Sequence, residues 1–319
     1  MNSRHGHSPE DGRTEKWDGR SMAPAFFHRI FYATIRLAGR HSAYFLLFFV
    51  VCFYCLLPKI SKRPAAYISR RFGCTGGPKL FLHTFRLYWN FGTMLVDRAV
   101  LRITGRFEAY GSEEDKEKLR RLYAEYGKII LLTAHAGCWQ MGISYLDFLD
   151  APKAILMLTG KGDVDRHSFK WKTPGAEGGS GAQDITVINP SAPLGGTIEM
   201  INALNSGAVL CINADRTFGS ERHTVETDFL GGKIRLPISA YKIAAGTGTP
   251  VAVVFSARTG PGRGTFRISE VMHVPHDADK GAVRGPQAFV PYAEAYARKL
   301  EEFCTDYPYQ FYNFYDMWH

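Results

Sequence analysis

The stretch that decides the fold is Lys-Ile-Ile-Leu-Leu-Thr-Ala-His, residues 128–135. Its run of apolar residues predicts a strand buried on both faces, as strands in parallel sheets are. A charged amphipathic helix is predicted just before it, over residues 113–126, and Gly127 is a favoured helix stop. A second short apolar strand is predicted at 154–158. Strand and helix in alternation indicate an α/β domain.

The same alternation continues downstream. Further elements are predicted as helices over 139–149, 194–205, 237–246 and 286–304, as strands over 185–188, 208–212 and 250–255, and as a hairpin strand over 225–229. No internal repeat is evident. The predicted fold class is therefore α/β, with a mixed, largely parallel sheet flanked by helices.

The N-terminal region differs in composition from this body. Residues 1–23 are polar and predict a disordered tail. Residues 24–72 predict interfacial and membrane-associated helices, and 73–319 the α/β domain. The uncharged run 43–57 would form a helix of roughly 22 Å, against a hydrocarbon core of about 30 Å. It can span a membrane only with help from residues 39–42, dip into one leaflet, or serve as a buried core helix.

Charge and cysteine content indicate the kind of partner and the redox compartment of the protein. The formal net charge of +9 predicts an anionic partner, which by charge alone could be nucleic acid, phospholipid or an acidic substrate. No recognised nucleic-acid module accompanies it, so nucleic acid is not expected. The six scattered cysteines form no paired zinc motif, and reduced thiols on the cytoplasmic side are expected. No metal site and no nucleotide cofactor are predicted.

The chemistry is expected at His135, which comes directly after the buried strand. Reactive groups in open α/β sheets gather beyond the carboxyl ends of strands. A neutral imidazole there could take a proton from a hydroxyl acceptor as it attacks an acyl thioester. Gln140 would lie about one helical turn away and could hydrogen-bond the other ring nitrogen. A histidine that caps a helix, or a thiol hydrolase that pairs Cys138 with His135, are the alternatives.

Several motifs carry a family resemblance. The segment 135–140 begins with His135, has Trp139 as its fifth residue and ends at position 140. It resembles the HxxxxD/E motif of the lysophospholipid acyltransferase superfamily, and most closely that of its bacterial lipid A biosynthesis (lauroyl/myristoyl) branch. Residues 213–219 and 228–232 are similar to the family's Asp-rich loop and Phe-Phe-Gly segment. Residues 237–251 and 307–311 are similar to its helix with a TG-x-PV strand and to its C-terminal Pro-x-Gln-aromatic ending. The similarity covers roughly residues 25–315.

The resemblance implies a glycerol-phosphate-acyltransferase-like fold with an N-terminal membrane-associated helix. It implies an O-acyltransferase at the cytoplasmic face of a bacterial inner membrane. The donor would be a fatty acyl group on acyl carrier protein or coenzyme A, and the acceptor a hydroxyl of a lipid A precursor or related anionic lipid. No cofactor beyond the acyl donor is implied. The substrate-binding residues it indicates are Trp139, Asp215, Arg216, Phe229 and Gly231.

Two points stay open in the sequence. Arg216 could contact a phosphate or form a salt bridge with Asp215 or Asp228. Gln140 stands where the family has an acid, so either glutamine orients His135 while an aspartate supplies charge, or the chain is an inactive lipid-binding or scaffold homologue. The candidates for that aspartate are Asp147, Asp163, Asp165 and Asp215.

Overall fold

The computed structural model describes residues 25–157, 185–191, 193–217, 223–276 and 285–319. The predicted tail over 1–23, the glycine-rich stretch 175–181, and Asp163 and Asp165 lie outside these residues. The described chain contains an N-terminal helical layer, an α/β body and a small hairpin.

The helical layer consists of four helices. They are α1 (Ala25–Leu56), α2 (Pro58–Ser61), α3 (Ala65–Phe72) and α4 (Gly77–Thr104). Backbone torsions at Gly39, with φ at 79°, break the helical geometry of α1. In the described part of the chain, α1 contains one segment, His28–Leu56, that is long and apolar enough to cross a membrane by length and composition. Helix α4 brings the end of this layer to Thr104, and the domain boundary expected near residue 72 stays a prediction.

Helices α1 and α4 pack along each other. One face of α1, with Ala43, Leu47 and Val51, is buried against α4. A Cβ atom at Gly92 of α4 would lie 2.5 Å from Leu47 Cδ1, so glycine permits this close approach. The apolar run 43–57 is therefore buried along one face only.

The main sheet has six strands in the order β11-β8-β2-β5-β3-β4, and all neighbours are parallel except β11 with β8. Its strands are β2 (Ile129–Thr133), β3 (Lys153–Leu156), β4 (Thr186–Ile188), β5 (Val209–Asn213), β8 (Val251–Phe255) and β11 (Arg267–Met272). Residues of β2, β5 and β8 are all buried. The predicted mixed, largely parallel sheet is confirmed.

Two smaller sheets flank it. The first contains β1 (Glu108–Tyr110), β9 (Arg258–Gly260) and β10 (Arg263–Thr265), and the second is the antiparallel hairpin of β6 (Thr224–Phe229) and β7 (Gly232–Pro237). The alternating burial of β6 confirms the predicted hairpin strand.

The remaining helices cover the main sheet. They are α5 (Glu113–Tyr126), α6 (Trp139–Gly142), α7 (Thr197–Asn205), α8 (Ser239–Thr247) and α9 (Val290–Asp306). Helix α5 begins where the Ser112 hydroxyl accepts from the Asp115 amide and ends at Gly127, which has φ of 65°. The predicted helix 139–149 is α-helical only to Gly142 and continues as a 3₁₀ helix, Ile143–Leu149. A Cβ at Gly142 would lie 2.1 Å from Ser256 Oγ, so this tighter helix lies close against β8.

Candidate active site

His135 and Asp215 lie at the same edge of the sheet. Each comes two residues after a central strand, and the register of β2 and β5 pairs Thr133 with Asn213. Because the strands are parallel, their carboxyl ends meet at this edge. The position predicted for His135, just beyond a buried strand, is the one the structure gives it.

The carboxylate of Asp215 holds His135 in one orientation. Asp215 Oδ1 lies 2.9 Å from His135 Nδ1 and accepts from the His135 backbone N–H at 3.0 Å. A carboxylate at Nδ1 places the ring proton there, so the lone pair stays on Nε2. The His135 side chain is 24% exposed and that of Asp215 1%. The pair therefore presents a base to solvent and keeps its carboxylate inside the protein.

The electrostatics keep this base neutral. Burial lowers the pKa of His135 below its usual 6.5, and the charge of Arg216 adds to that effect, while Asp215 opposes it. Burial alone would raise the pKa of Asp215, but its contacts with His135 and the charge of Arg216 hold that pKa below the usual 3.8. At neutral pH the site therefore combines a neutral imidazole with an ionised carboxylate.

Arg216 is part of the same cluster. Its Nε lies 3.5 Å from Asp215 Oδ2, its Nη2 donates to the Tyr312 carbonyl at 2.6 Å, and its guanidinium lies over the Tyr315 ring. The salt bridge with Asp215 that was considered for Arg216 is present, and the phosphate contact stays a prediction. The side chain is 8% exposed, so it acts mainly on the charges around His135.

The structure corrects the expected role of Gln140. The side-chain oxygen of Gln140 accepts from Arg98 Nη1 at 2.6 Å, and its amide nitrogen points at Met157 Sδ, 3.9 Å away. The contact with His135 Nδ1 belongs to Asp215 instead. The physical reason is that α6 begins only at Trp139, so His135 and Gln140 do not share a helix.

The loop that carries His135 is held by a segment from much later in the chain. The Gly137 amide donates to the Gln310 carbonyl at 2.6 Å, and the Tyr312 amide donates to the His135 carbonyl at 2.9 Å. Gly137 has φ of 57°, and a Cβ there would lie 1.9 Å from the Ser256 carbonyl oxygen. Glycine is therefore required for the turn between β2 and α6.

The other residues predicted to bind substrate lie in packed or turn positions of the fold. Trp139 is half-buried and packs on the cluster between the sheet and α5. Phe229, predicted to bind substrate, is fully buried and stacks on Trp318, so it is a core residue. Gly231 forms the turn of the β6–β7 hairpin at φ of 71°, and its carbonyl accepts from Arg70 Nη1. Phe229 therefore lies in the core and Gly231 in a turn, and a substrate contact by either residue stays a prediction.

Two alternatives meet physical objections. Cys138 is buried, and burial raises the pKa of its thiol to about 12, so the thiolate that a thiol hydrolase needs is not formed at neutral pH. Asp147, one candidate for supplying charge, binds Lys153 Nζ at 3.0 Å. Among the described residues, no group of three His, Cys, Asp or Glu side chains could hold a metal ion.

An apolar cavity lies beside the site. It has about 270 Å³ of empty space between the sheet and α6. Its walls are Leu131, Thr133, Trp139, Gly142, Ile143, Leu146, Cys211, Val254, Ser256 and Phe266. Thr133 ends β2 two residues before His135, so the cavity lies directly next to the catalytic loop. Only about 20 Å³ of that space can hold the centre of a water-sized molecule, so the cavity has room for about one water.

Three residues of the site were not among the predicted ones. The Asn213 amide nitrogen lies 3.4 Å from His135 Nε2, Arg98 binds Gln140, and Gln310 holds the Gly137 turn. Asn213 could have been found from the sequence, because it directly follows the predicted strand 208–212 and lies two residues before Asp215. Arg98 and Gln310 reach the site only through long-range packing.

A comparison with protein families identifies the family of the chain. Residues 81–319 match the family model described as bacterial lipid A biosynthesis acyltransferase. A comparison with curated proteins gave no match. The matched range contains α4 from Phe81 onward, the His135–Asp215 pair and the segment that holds the loop. The chain therefore belongs to the bacterial lipid A biosynthesis acyltransferase family and is a lipid acyltransferase.

Proposed function

We propose that this protein transfers a fatty acyl group from acyl carrier protein, or from coenzyme A, to a hydroxyl of a lipid A precursor or a related anionic bacterial lipid. The observation that carries the proposal is the His135–Asp215 pair, with Asp215 Oδ1 2.9 Å from Nδ1 and Nε2 left as the base. Asp215, rather than Gln140, has the orienting role.

The chemistry follows from that pair. His135 Nε2 takes the proton of the acceptor hydroxyl as its oxygen attacks the thioester carbonyl carbon. The C–S bond then breaks, and the thiolate leaves with the proton that the imidazolium returns. Asp215 stabilises the imidazolium while it exists. The products are an ester on the lipid and the free thiol of the carrier.

Charge and shape support the substrate classes. Acyl carrier protein is acidic and lipid A precursors carry phosphates, and the net charge of +9 suits both. The apolar side chains around the small cavity beneath Trp139 are compatible with a nearby acyl chain, but the cavity itself has room for about one water-sized molecule.

The decisive experiment is acyl transfer by purified protein in detergent or vesicles. Radiolabelled lauroyl or myristoyl groups are supplied on acyl carrier protein or on coenzyme A, with a lipid A precursor or phosphatidylglycerol as acceptor. We expect labelled lipid, and mass spectrometry of lipids from cells with and without the protein should reveal the same product. Absence of label transfer from both donors to every acceptor tested would leave a non-catalytic lipid-binding homologue as the better account.

Membrane attachment is proposed through an aromatic ridge on α1. Phe45, Phe49, Phe53 and Leu56 are exposed on the face of α1 that points away from α4. Because the opposite face packs against α4, we place this ridge in the cytoplasmic leaflet of the inner membrane, with the α/β domain on the cytoplasmic side.

Replacing Phe45, Phe49 and Phe53 together with serine is expected to move most of the protein from the membrane pellet to the supernatant after cell fractionation. The reason is the loss of roughly 2 kcal/mol of burial for each phenylalanine removed from the lipid. The matched control replaces the exposed Leu194 and Ile198 with serine and should leave the distribution unchanged. Equal release of both variants would contradict the ridge.

The pH dependence tests the state of His135. Because its pKa lies below 6.5, the unprotonated base persists through neutral pH and is lost only as the pH falls through the lowered value. We expect the acidic limb of kcat/KM to have its inflection below pH 6.5. A profile measured with acceptor in vesicles from pH 5 to 8 checks this, and an inflection above 6.5 would contradict it.

A further inference from the structure

A buried aspartate in α4 joins the membrane-facing helix to the active-site side of the protein. Asp97 is fully buried and its Oδ2 lies 2.7 Å from Arg258 Nε. Its Oδ1 lies 3.1 Å from Arg40 Nε and accepts from the Tyr44 hydroxyl, both on α1. Arg258 Nη2 also donates to the Tyr44 oxygen at 2.9 Å. One carboxylate thus gathers groups from α1, α4 and β9.

Arg258 continues the connection through its backbone. Its N–H donates to Gln310 Oε1 and its carbonyl accepts from Gln310 Nε2, each at 2.8 Å. The Gln310 carbonyl in turn accepts from the Gly137 amide at 2.6 Å, in the turn that follows His135. Asp97 is therefore connected to the His135 loop by its ion pair with Arg258 and by Gln310. The side-chain amide of Gln310 makes two hydrogen bonds to the Arg258 backbone.

These contacts fix the position of the Arg258 backbone more than they stabilise the fold. A buried ion pair adds little net stability over a well-packed apolar substitute, so stability alone is a weak reason for Asp97. The amide of Gln310 can bond both backbone groups of Arg258 only when that backbone has one position. The Asp97 carboxylate fixes the guanidinium, and with it the start of β9.

We propose that Asp97 is a positioning residue for acyl transfer, acting through Arg258 and Gln310 on the His135 loop, and that Arg40 and Tyr44 connect the same network to the membrane-facing helix. The inference rests on the proposed role of His135 as base. Asp97 itself touches no reacting group. Its effect is on the rate of the chemical step, since a displacement of about 1 Å at a reacting group can cost about 10²-fold.

The test is Asp97→Asn, which keeps the shape and removes the charge. We expect kcat for acyl transfer to fall between about 10- and 100-fold while KM for the acyl donor is unchanged. The acidic limb of the kcat profile should move up toward pH 6.5, because a loosened loop admits water to His135. Asp228→Asn, at an exposed aspartate paired with Lys233, is the matched control and should match the wild type.

A second variant tests the same role in case Asp97→Asn does not fold. Arg40 is 22% exposed and is the outer partner of Asp97, so Arg40→Gln should fold and lower kcat in the same direction by a smaller factor. Arg36→Gln, at an exposed position on the same helix, is its control. Circular dichroism and thermal melting confirm folding for each protein.

The outcomes separate this inference from the proposed function. If folded Asp97→Asn and Arg40→Gln keep the wild-type kcat, or lose only donor affinity, the positioning role is overturned. If His135→Ala keeps the wild-type kcat, the proposed function fails instead. A lower kcat in both network variants, unchanged KM and a raised acidic limb support the positioning role.

Discussion

Replacing His135 with alanine is expected to lower kcat for lipid acylation by about 10⁴-fold, the upper end of what a general base contributes. The variant loses the imidazole that Asp215 orients at the sheet edge. Donor binding should persist, because the proposed role of the imidazole is to take the proton of the acceptor hydroxyl. The measurement is single-turnover transfer of a labelled acyl group, with kcat separated from KM.

The matched control for this variant is His273→Ala. His273 is exposed and follows the edge strand β11, where it contacts Tyr126. It should acylate lipid at the wild-type rate. Wild-type turnover by a folded His135→Ala protein would mean that another group removes the proton.

The second large effect is expected for Asp215→Asn, with a loss of up to about 10⁴-fold in kcat. An amide at position 215 can donate to Nδ1, which would move the ring proton to Nε2 and remove the base. It also removes the negative charge that stabilises the imidazolium. Asparagine retains the size of the side chain, so the fold around the buried Arg216 should persist, and thermal melting checks this.

Gln140→Ala is the informative comparison for Asp215→Asn. It should stay within about tenfold of the wild type, because the hydrogen bond it removes, from Arg98, contributes about 1.5–3 kcal/mol to stability and is not a bond to the imidazole. The order of the two effects decides which residue orients the imidazole. A larger loss for Gln140→Ala than for Asp215→Asn would return that role to Gln140.

Much of the fold could be predicted because many of its helices and strands depend on patterns among neighbouring residues. The apolar runs that become β2, β5 and β8, the Ser112 and Gly127 ends of α5, and the alternation of β6 need only neighbouring residues. Helix α4 was not predicted, although Pro78 near its start and Gly105 at its end are recognisable signals. Its apolar residues pack against both α1 and the C-terminal segment. They therefore lie on more than one face of the helix, and the sequence lacks a single amphipathic stripe.

The site divides in the same way. His135 could be predicted, since a residue that follows a buried strand lies at the functional edge of a parallel sheet. Asp215 was one of four aspartates considered, and only the pairing of β2 with β5 selects it. The spacing of five residues between His135 and Gln140 suggests about one helical turn, whereas Gly137 turns the chain before α6 begins. Spacing alone does not reveal such a turn.

The hold of residues 310–312 on the His135 loop has a consequence for biosynthesis. The ridge residues of α1 precede Gln310 and Tyr312 in the chain and are therefore made first. A nascent chain that contains α1 and His135, but not yet residues 310–312, lacks the two hydrogen bonds that hold the His135 loop. We therefore expect acyl transfer to begin only after Gln310 and Tyr312 have been made.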